Sequence, residues 1–205
     1  MPTTTLDLLR HGQTALTKRF GFPNEPLAEE GRNQMWRAVG SVFPWRMIFT
    51  SPYGRCAEFA HALGERTRLP VVELAELRPL DWGSWTDKER DDVMRTDPDA
   101  LARFNADSFT HRVSGGESLA DVANRSAQAC LAILEQAADQ HVLVVGHKWN
   151  IQAIIARALQ MPARSASSIA CQYASLTRLE FNGSGSRYLT HLAFHTGGTP
   201  RVPRL

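Results

Sequence analysis

The sequence predicts an α/β domain built on a mostly parallel central sheet. Three observations carry this. Short apolar runs recur between longer amphipathic segments. One run, His141-Val-Leu-Val-Val-Gly146, is apolar throughout its centre. Two alternating segments near the end are separated by Asn182-Gly-Ser-Gly-Ser186. A strand covered on both faces is continuously apolar, as in the interior of a parallel sheet, and strands that alternate with helices imply crossovers laying helices against the sheet. A Gly/Ser turn between alternating segments makes them a hairpin, which adds an antiparallel edge.

In chain order, residues 6–9 form a short apolar run behind threonines and read as a buried strand. A loop rich in Gly, Pro and Asn occupies 12–26, and 27–42 reads as a helix. Residues 47–50 form a second strand, closed by Ser51-Pro52, and 53–66 are helical with Ala57, Ala60, Leu63 and Gly64 on one side. Val71 and Val72 belong to a third strand. The stretch 78–112 differs: it is highly charged, carries Trp82, Trp85, Phe104 and Phe109, and reads as one or two short helices forming a lid-like insertion over the sheet edge, with 87–95 a solvated helix face. Residues 118–138 are a long helix with Ser118 as N-cap. Residues 141–146 are the strongest strand, 148–159 the helix after it, and 173–181 and 188–194 the hairpin.

A length of 205 residues fits a single domain, 1–205. A net charge of +2 gives no global field for nucleic acid or a membrane surface, so any functional positive potential is local. Cys56, Cys130 and Cys171 are odd in number and have no metal-ligand spacing, which fits buried thiols in a reducing compartment and no metal. No charged segment followed by an apolar one opens the chain, and no window approaches the roughly 20 apolar residues of a membrane span. A cytoplasmic location is therefore expected, where the sequons at Asn124 and Asn182 stay unmodified.

The chemistry lies at two strand ends. Sites on open α/β sheets form beyond the carboxyl ends of the strands, and there this chain has Arg10-His11-Gly12 after the first strand and Gly146-His147 after the strongest. A neutral imidazole can attack phosphorus and become a phosphohistidine. The phosphoryl oxygens stay anionic throughout and need fixed cations, for which the forked guanidinium is suited.

Leu9-Arg10-His11-Gly12-Gln13-Thr14 resembles the Arg-His-Gly signature of the histidine phosphatase superfamily, which includes cofactor-dependent phosphoglycerate mutases. Ser51-Pro52-Tyr53-Gly54-Arg55 resembles its Ser-Pro-x-x-Arg segment, Gly115-Gly116-Glu117-Ser118 its Gly-Glu-Ser helix start, and Val144-Val145-Gly146-His147 its second-histidine strand. The four stand in the family's order. The resemblance implies a three-layer αβα sandwich of the phosphoglycerate mutase-like kind and a metal-independent phosphomonoesterase with no cofactor. It makes His11 the nucleophile, Arg10 and Arg55 the phosphoryl clamps and His147 the group that completes the cage. Gln13, Thr17 and Gly21 fall beside the substrate, Thr17 standing where relatives have Asn. Residues 19–27, 159–162 and 172–179 resemble α-ribazole phosphatases of cobalamin biosynthesis. Broad-specificity and sugar-phosphate phosphatases share similar stretches, so both stay open.

Two departures stand out. Relatives carry a proton-donating Glu where this chain has Pro79, which leaves Asp81 (same face two residues on, if the stretch is extended) and Glu76 as the nearest carboxylic acids. Relatives commonly have Gly-Gly after the second histidine; here Lys148-Trp149 follow, and Lys148 at a helix start could add charge to the pocket. A phosphomonoesterase acting on a small phosphate ester is the leading expectation. A phosphoglycerate mutase and a phosphate-binding protein without turnover, which Pro79 favours, are the alternatives. The hairpin edge could pair with a second copy in a homodimer.

Overall fold

A computed structural model describes residues 3–15, 19–21, 25–182 and 189–195. The strands are β1 (Thr3–Arg10), β2 (Ile48–Thr50), β3 (Val71–Glu73), β4 (His141–Gly146), β5 (Leu176–Asn182) and β6 (Leu189–His195). They form one sheet in the order β3-β2-β4-β1-β5-β6. The pairs β3/β2, β2/β4 and β4/β1 are parallel, while β1/β5 and β5/β6 are antiparallel. The expected α/β class with a mostly parallel sheet and an antiparallel hairpin edge is what the chain forms.

The helices are α1 (Glu29–Val39), α2 (Gly54–Thr67), α3 (Arg90–Thr96), α4 (Pro98–Ala106), α5 (Leu119–Gln136) and α6 (Lys148–Ala158). Alternation along the strands sorts the core into two layers. Leu6, Leu8, Val142, Val144 and Leu179 face one way, onto Ala129 and Ile133 of α5 and Ile151, Ile154 and Ile155 of α6. Leu9, Ile48, Leu143, Val145 and Leu176 face the other, onto Met35 of α1 and Phe59, Ala60 and Leu63 of α2. The result is a helix–sheet–helix sandwich. Each buried Leu, Ile, Val, Met or Phe side chain among these contributes about 1.5–3 kcal/mol by leaving water. β4 lies between β2 and β1 with both faces covered, which is why its sequence is apolar without alternation.

A third apolar cluster lies apart from the sheet. Phe20, Leu80, Trp85, Val93, Leu101 and Phe104 are buried together, with Trp82 and Trp149 partly buried against them. This cluster draws the charged stretch 78–112 onto the body; of the one or two short helices expected there, two form, α3 and α4.

Several boundaries differ from expectation. α1 starts at Glu29, because Leu27 is taken into an antiparallel bridge with Thr14, and it stops at Gly40, whose φ of 67° ends the helix. β5 starts at Leu176, because Ala174 turns the chain at φ 51° and Tyr173 lies outside the strand. A 3-10 turn, Ala163–Ser168, was not foreseen. Ser118 does cap α5: its Oγ accepts from the Asp121 amide at 3.3 Å, and the Asp121 carboxylate accepts from the Ser118 amide at 2.8 Å, a reciprocal capping box.

Candidate active site

Three neighbouring strands end at one level. Arg10 of β1 pairs with Gly146 of β4, and Thr50 of β2 with Val145. The ladder runs one residue further on each side, with His11 N–H donating to Gly146 O and Ser51 N–H to Val145 O, both at 3.0 Å. His11, His147 and Ser51 are thereby set side by side beyond the carboxyl edge, and Arg55 joins them from the first turn of α2.

The loop after β1 is held by close backbone approach. A Cβ on Gly12 would lie 2.0 Å from the carbonyl oxygen of Gly31, and one on Gly31 1.9 Å from that of Gln13, so two glycines let α1 abut the turn after β1. Gln34 Oε1 accepts the Gln13 amide at 3.1 Å.

His11 Nδ1 lies 2.8 Å from the Gly12 carbonyl. A carbonyl only accepts, so Nδ1 carries the proton and Nε2 keeps its lone pair. Burial, and then the nearby Arg55 and Arg10 guanidinium groups, push the His11 pKa down to about 3; the Gly12 bond opposes this weakly. The ring is therefore neutral at ordinary pH, the form needed for nucleophilic attack. His147 is held well below its usual value by burial, Arg55 and His11, in that order. The two rings meet edge-on with centroids 5.2 Å apart. Ser51 Oγ lies 2.8 Å from His147 Nε2, and the Cys56 thiol lies 3.6 Å from the same nitrogen. Burial pushes that thiol up to about 12, so it remains protonated.

Arg10 donates to Cys171 O at 2.7 Å, and its guanidinium sits 4.0 Å over the Tyr173 ring. Among the described residues, Arg10 Nε and His147 Nδ1 are buried nitrogens with no hydrogen-bond partner. Buried polar groups are seldom left so, and both belong to residues that line one cavity with His11.

A cavity of about 270 Å³ opens over these groups. Six of the residues expected from sequence line it: Arg10, His11, Arg55, His147, Gly21 and Lys148. Gly21, at φ 55°, leaves room for the Trp82 indole, since a Cβ there would lie 2.3 Å from Trp82 Cδ1. Lys148 Nζ lies 4.5 Å from the Trp149 ring centroid.

Three other residues expected at the site, Asp81, Glu76 and Gln13, do not line the cavity. Asp81 does not line the cavity; it is exposed, and its carboxylate accepts from the Gly83 amide at 2.8 Å. The chain turns there into a 3-10 segment, Gly83–Trp85, so the two-residue alternation that would align Asp81 with position 79 is broken. Glu76 lies on the 3-10 turn Ala75–Leu77, does not line the cavity, and has its carbonyl bound by Arg125 at 2.7 Å. Gln13 is exposed, and its backbone amide donates to Gln34 of α1. Thr17 lies outside the described residues.

The Gly-Glu-Ser segment proves to be a clamp. The Arg125 guanidinium donates to the carbonyls of Glu76, Arg78 and Pro79 at 2.6–2.8 Å and to both Glu117 oxygens at 2.9 Å. Glu117 also accepts from Arg78 and from the Asp81 amide. Seven donor contacts thus fix the segment that brings Pro79, Leu80 and Trp82 to the cavity wall. The opposite wall is tied to it, because Arg19 pairs with Asp87 at 2.7 Å and with Glu89 at 3.5 Å.

Thr14, Arg19, Glu25 and Tyr173 also line the cavity and were not singled out from sequence. For Tyr173 a signal existed. A residue just before a strand antiparallel to β1 must lie beside the end of β1, and Leu9 indeed faces Leu176 while Ala174 N–H donates to His11 O at 3.2 Å. For Glu25 and Arg19 the signal was their place in the 19–27 stretch of the loop that follows His11.

The fold and the site define a class: an α/β protein in which a neutral imidazole and two guanidinium groups converge at the sheet edge, an arrangement able to accept a phosphoryl group. The sequence pattern of the histidine phosphatase superfamily (branch 1) matches residues 6–192, and the chain belongs to that superfamily. It is 30% identical to an acid phosphatase of Mycobacterium tuberculosis (strain ATCC 25618 / H37Rv), over 82% of each chain. It is 31% identical to the glucosyl-3-phosphoglycerate phosphatase of Mycolicibacterium vanbaalenii, over 79% of this chain and 77% of that one. The alpha-ribazole phosphatase structure from Shigella flexneri superimposes with a TM-score of 0.86 at 20% identity, covering 97% of this chain and 99% of that one, a likeness of fold. The chain is a phosphoric monoester hydrolase. Among the described residues, no helix is long and apolar enough to cross a membrane.

Proposed function

We propose that the protein hydrolyses small phosphate monoesters through a phosphohistidine on His11, without a metal ion. The observation that carries this is the tautomer-fixed, neutral His11 ring set beside Arg10, Arg55 and His147 in one cavity. In the first step His11 Nε2 attacks phosphorus in line with the ester oxygen; the N–P bond forms, the P–O bond breaks and the alcohol departs with a proton. In the second step water attacks the phosphohistidine, the N–P bond breaks and inorganic phosphate is released. Arg10 and Arg55 hold the equatorial oxygens through both transfers, and Arg10 Nε and His147 Nδ1 are donors suited to those oxygens. Here fixed cations do the charge neutralisation that a metal would supply elsewhere. Lys148 extends the positive field at the cavity mouth. The stretch 78–112 acts as a lid, closing the site from above.

Trp82, Trp149 and Tyr173 add aromatic faces to an otherwise charged and polar lining, which favours a ring-bearing leaving group. α-Ribazole 5′-phosphate, sugar phosphates and glucosyl-3-phosphoglycerate are the panel that ranks such groups, and a substrate bearing the benzimidazole ring should rank first. A second reading, a phosphate binder with little turnover, has Pro79 in its favour, because a proline on the cavity wall moves no proton.

The test is hydrolysis of 4-nitrophenyl phosphate in the presence of a chelator, with His11→Ala beside it. Turnover in wild type and its loss in the variant are expected. Full activity in His11→Ala would refute the reading, and phosphate binding with no release from any ester would favour the second one.

A further inference from the structure

We propose that Glu25 is the acid that protonates the departing ester oxygen, the role that Pro79 cannot fill; the inference rests on the phosphomonoesterase reading above. An alkoxide is a poor leaving group, so the first transfer needs a proton donor within reach of the bridging oxygen. Position 79 does border the cavity, but as a pyrrolidine ring. The two carboxylic acids nearest to it in sequence are excluded: Asp81 caps the turn at Gly83, and Glu76 lies off the cavity. Among the described residues that line the cavity, Glu25 is the one carrying a carboxyl group.

The backbone around Glu25 is anchored to the nucleophile's own segment. Leu27 bridges antiparallel to Thr14, and the Pro26 carbonyl accepts from the Ala15 amide at 3.2 Å. Thr14 is buried and lines the same cavity, three residues beyond His11. Glu25 thus stands two residues before an isolated bridge to the segment that follows His11, and it is half-buried there. Fixed placement on the cavity wall is what a general acid requires.

The step balances. As His11 Nε2 bonds to phosphorus, the P–O bond breaks, and the electron pair left on the ester oxygen takes the Glu25 proton to give a neutral alcohol. The Glu25 carboxylate then removes a proton from the water that attacks the phosphohistidine, which restores the acid and frees His11.

The experiment compares Glu25→Gln with wild type on an activated aryl ester, 4-nitrophenyl phosphate, and on an alkyl ester, glycerol 1-phosphate. General acid catalysis contributes about 10²–10⁴-fold, and a good leaving group needs little of it. Glu25→Gln should lose about 100-fold or more in kcat on the alkyl ester and no more than about tenfold on the aryl ester. Glu25→Asp, which keeps the proton on a shorter arm, should recover part of the alkyl rate and serves should Glu25→Gln fold poorly. An equal loss on both esters, or none on either, would overturn the assignment, since a structural role lowers both together. Wild-type protein that turned over neither ester would instead bring down the phosphomonoesterase reading, and this inference with it.

Discussion

Replacing Arg125 with Ala tests how the cavity wall is held. The guanidinium is 9% exposed and makes five of the donor contacts to the segment 76–79 and to Glu117. Removing one partner of a buried, hydrogen-bonded ion pair costs about 3–5 kcal/mol, because the other is left in low dielectric. Glu117 keeps Arg78 and the Asp81 amide, so the lower end of that range applies to the carboxylate. Three carbonyls also lose a charged donor, which returns the total to about 4 kcal/mol. For a chain of this size, that is a drop of about 10 °C in Tm. Pro79 and Leu80 then lose their fixed positions, and kcat/KM should fall by about tenfold or more. Arg125→Lys, which keeps the charge but not the fork, should fall between. Calorimetry or circular dichroism reads the first quantity and steady-state kinetics the second. A midpoint within about 2 °C of wild type would contradict the clamp, since a solvated pair is worth only about 0–1 kcal/mol.

Acid should destabilise the protein through its buried histidines. His11 is held at about 3 in the folded state against an ordinary value of 6.5. The unfolded chain therefore binds a proton that the native chain refuses, and this part of stability is intact above pH 6.5 and is lost as pH falls from there toward 3. The unfolding free energy should drop by up to about 1.4 kcal/mol per pH unit more in wild type than in His11→Gln across that window, and equal slopes would refute the shift. Asp7→Asn should cost about 3–5 kcal/mol while leaving kcat unchanged, because Asp7 is fully buried, holds Arg178, His141 and Trp45, and does not line the cavity; a loss of turnover without unfolding would argue against this separation. Ser51→Ala removes the hydroxyl 2.8 Å from His147 Nε2. At about 1–3 kcal/mol for a buried partner left unmade, kcat/KM should fall roughly tenfold, and an unchanged value would mean His147 is positioned without this hydroxyl.

The central sheet was legible because burial on two faces leaves an uninterrupted apolar run, as in β4, and because a turn sequence separates β5 from β6. The strand ends were legible for the same reason, and with them the positions of Arg10, His11 and His147. What escaped was set by contacts distant in sequence. The start of α1 depends on a bridge between Leu27 and Thr14 that no local propensity encodes. Asp81 looked well placed only under a strand-like period, which the 3-10 turn at Gly83 cancels. The Glu117–Arg125 clamp joins a helix start to one of its own later turns and to carbonyls some 47 residues earlier. Glu25 could not be placed on the cavity wall until the bridge that positions it was seen.

The most direct test is to look for the covalent intermediate itself. Protein mixed with an excess of 4-nitrophenyl phosphate, quenched under alkaline denaturing conditions and digested should yield the peptide containing His11 with one added phosphoryl group on its imidazole, and none in His11→Ala. Turnover with a phosphoryl group found on another residue, or with an unmodified His11 peptide under conditions that trap the intermediate of a known phosphohistidine enzyme, would contradict the account.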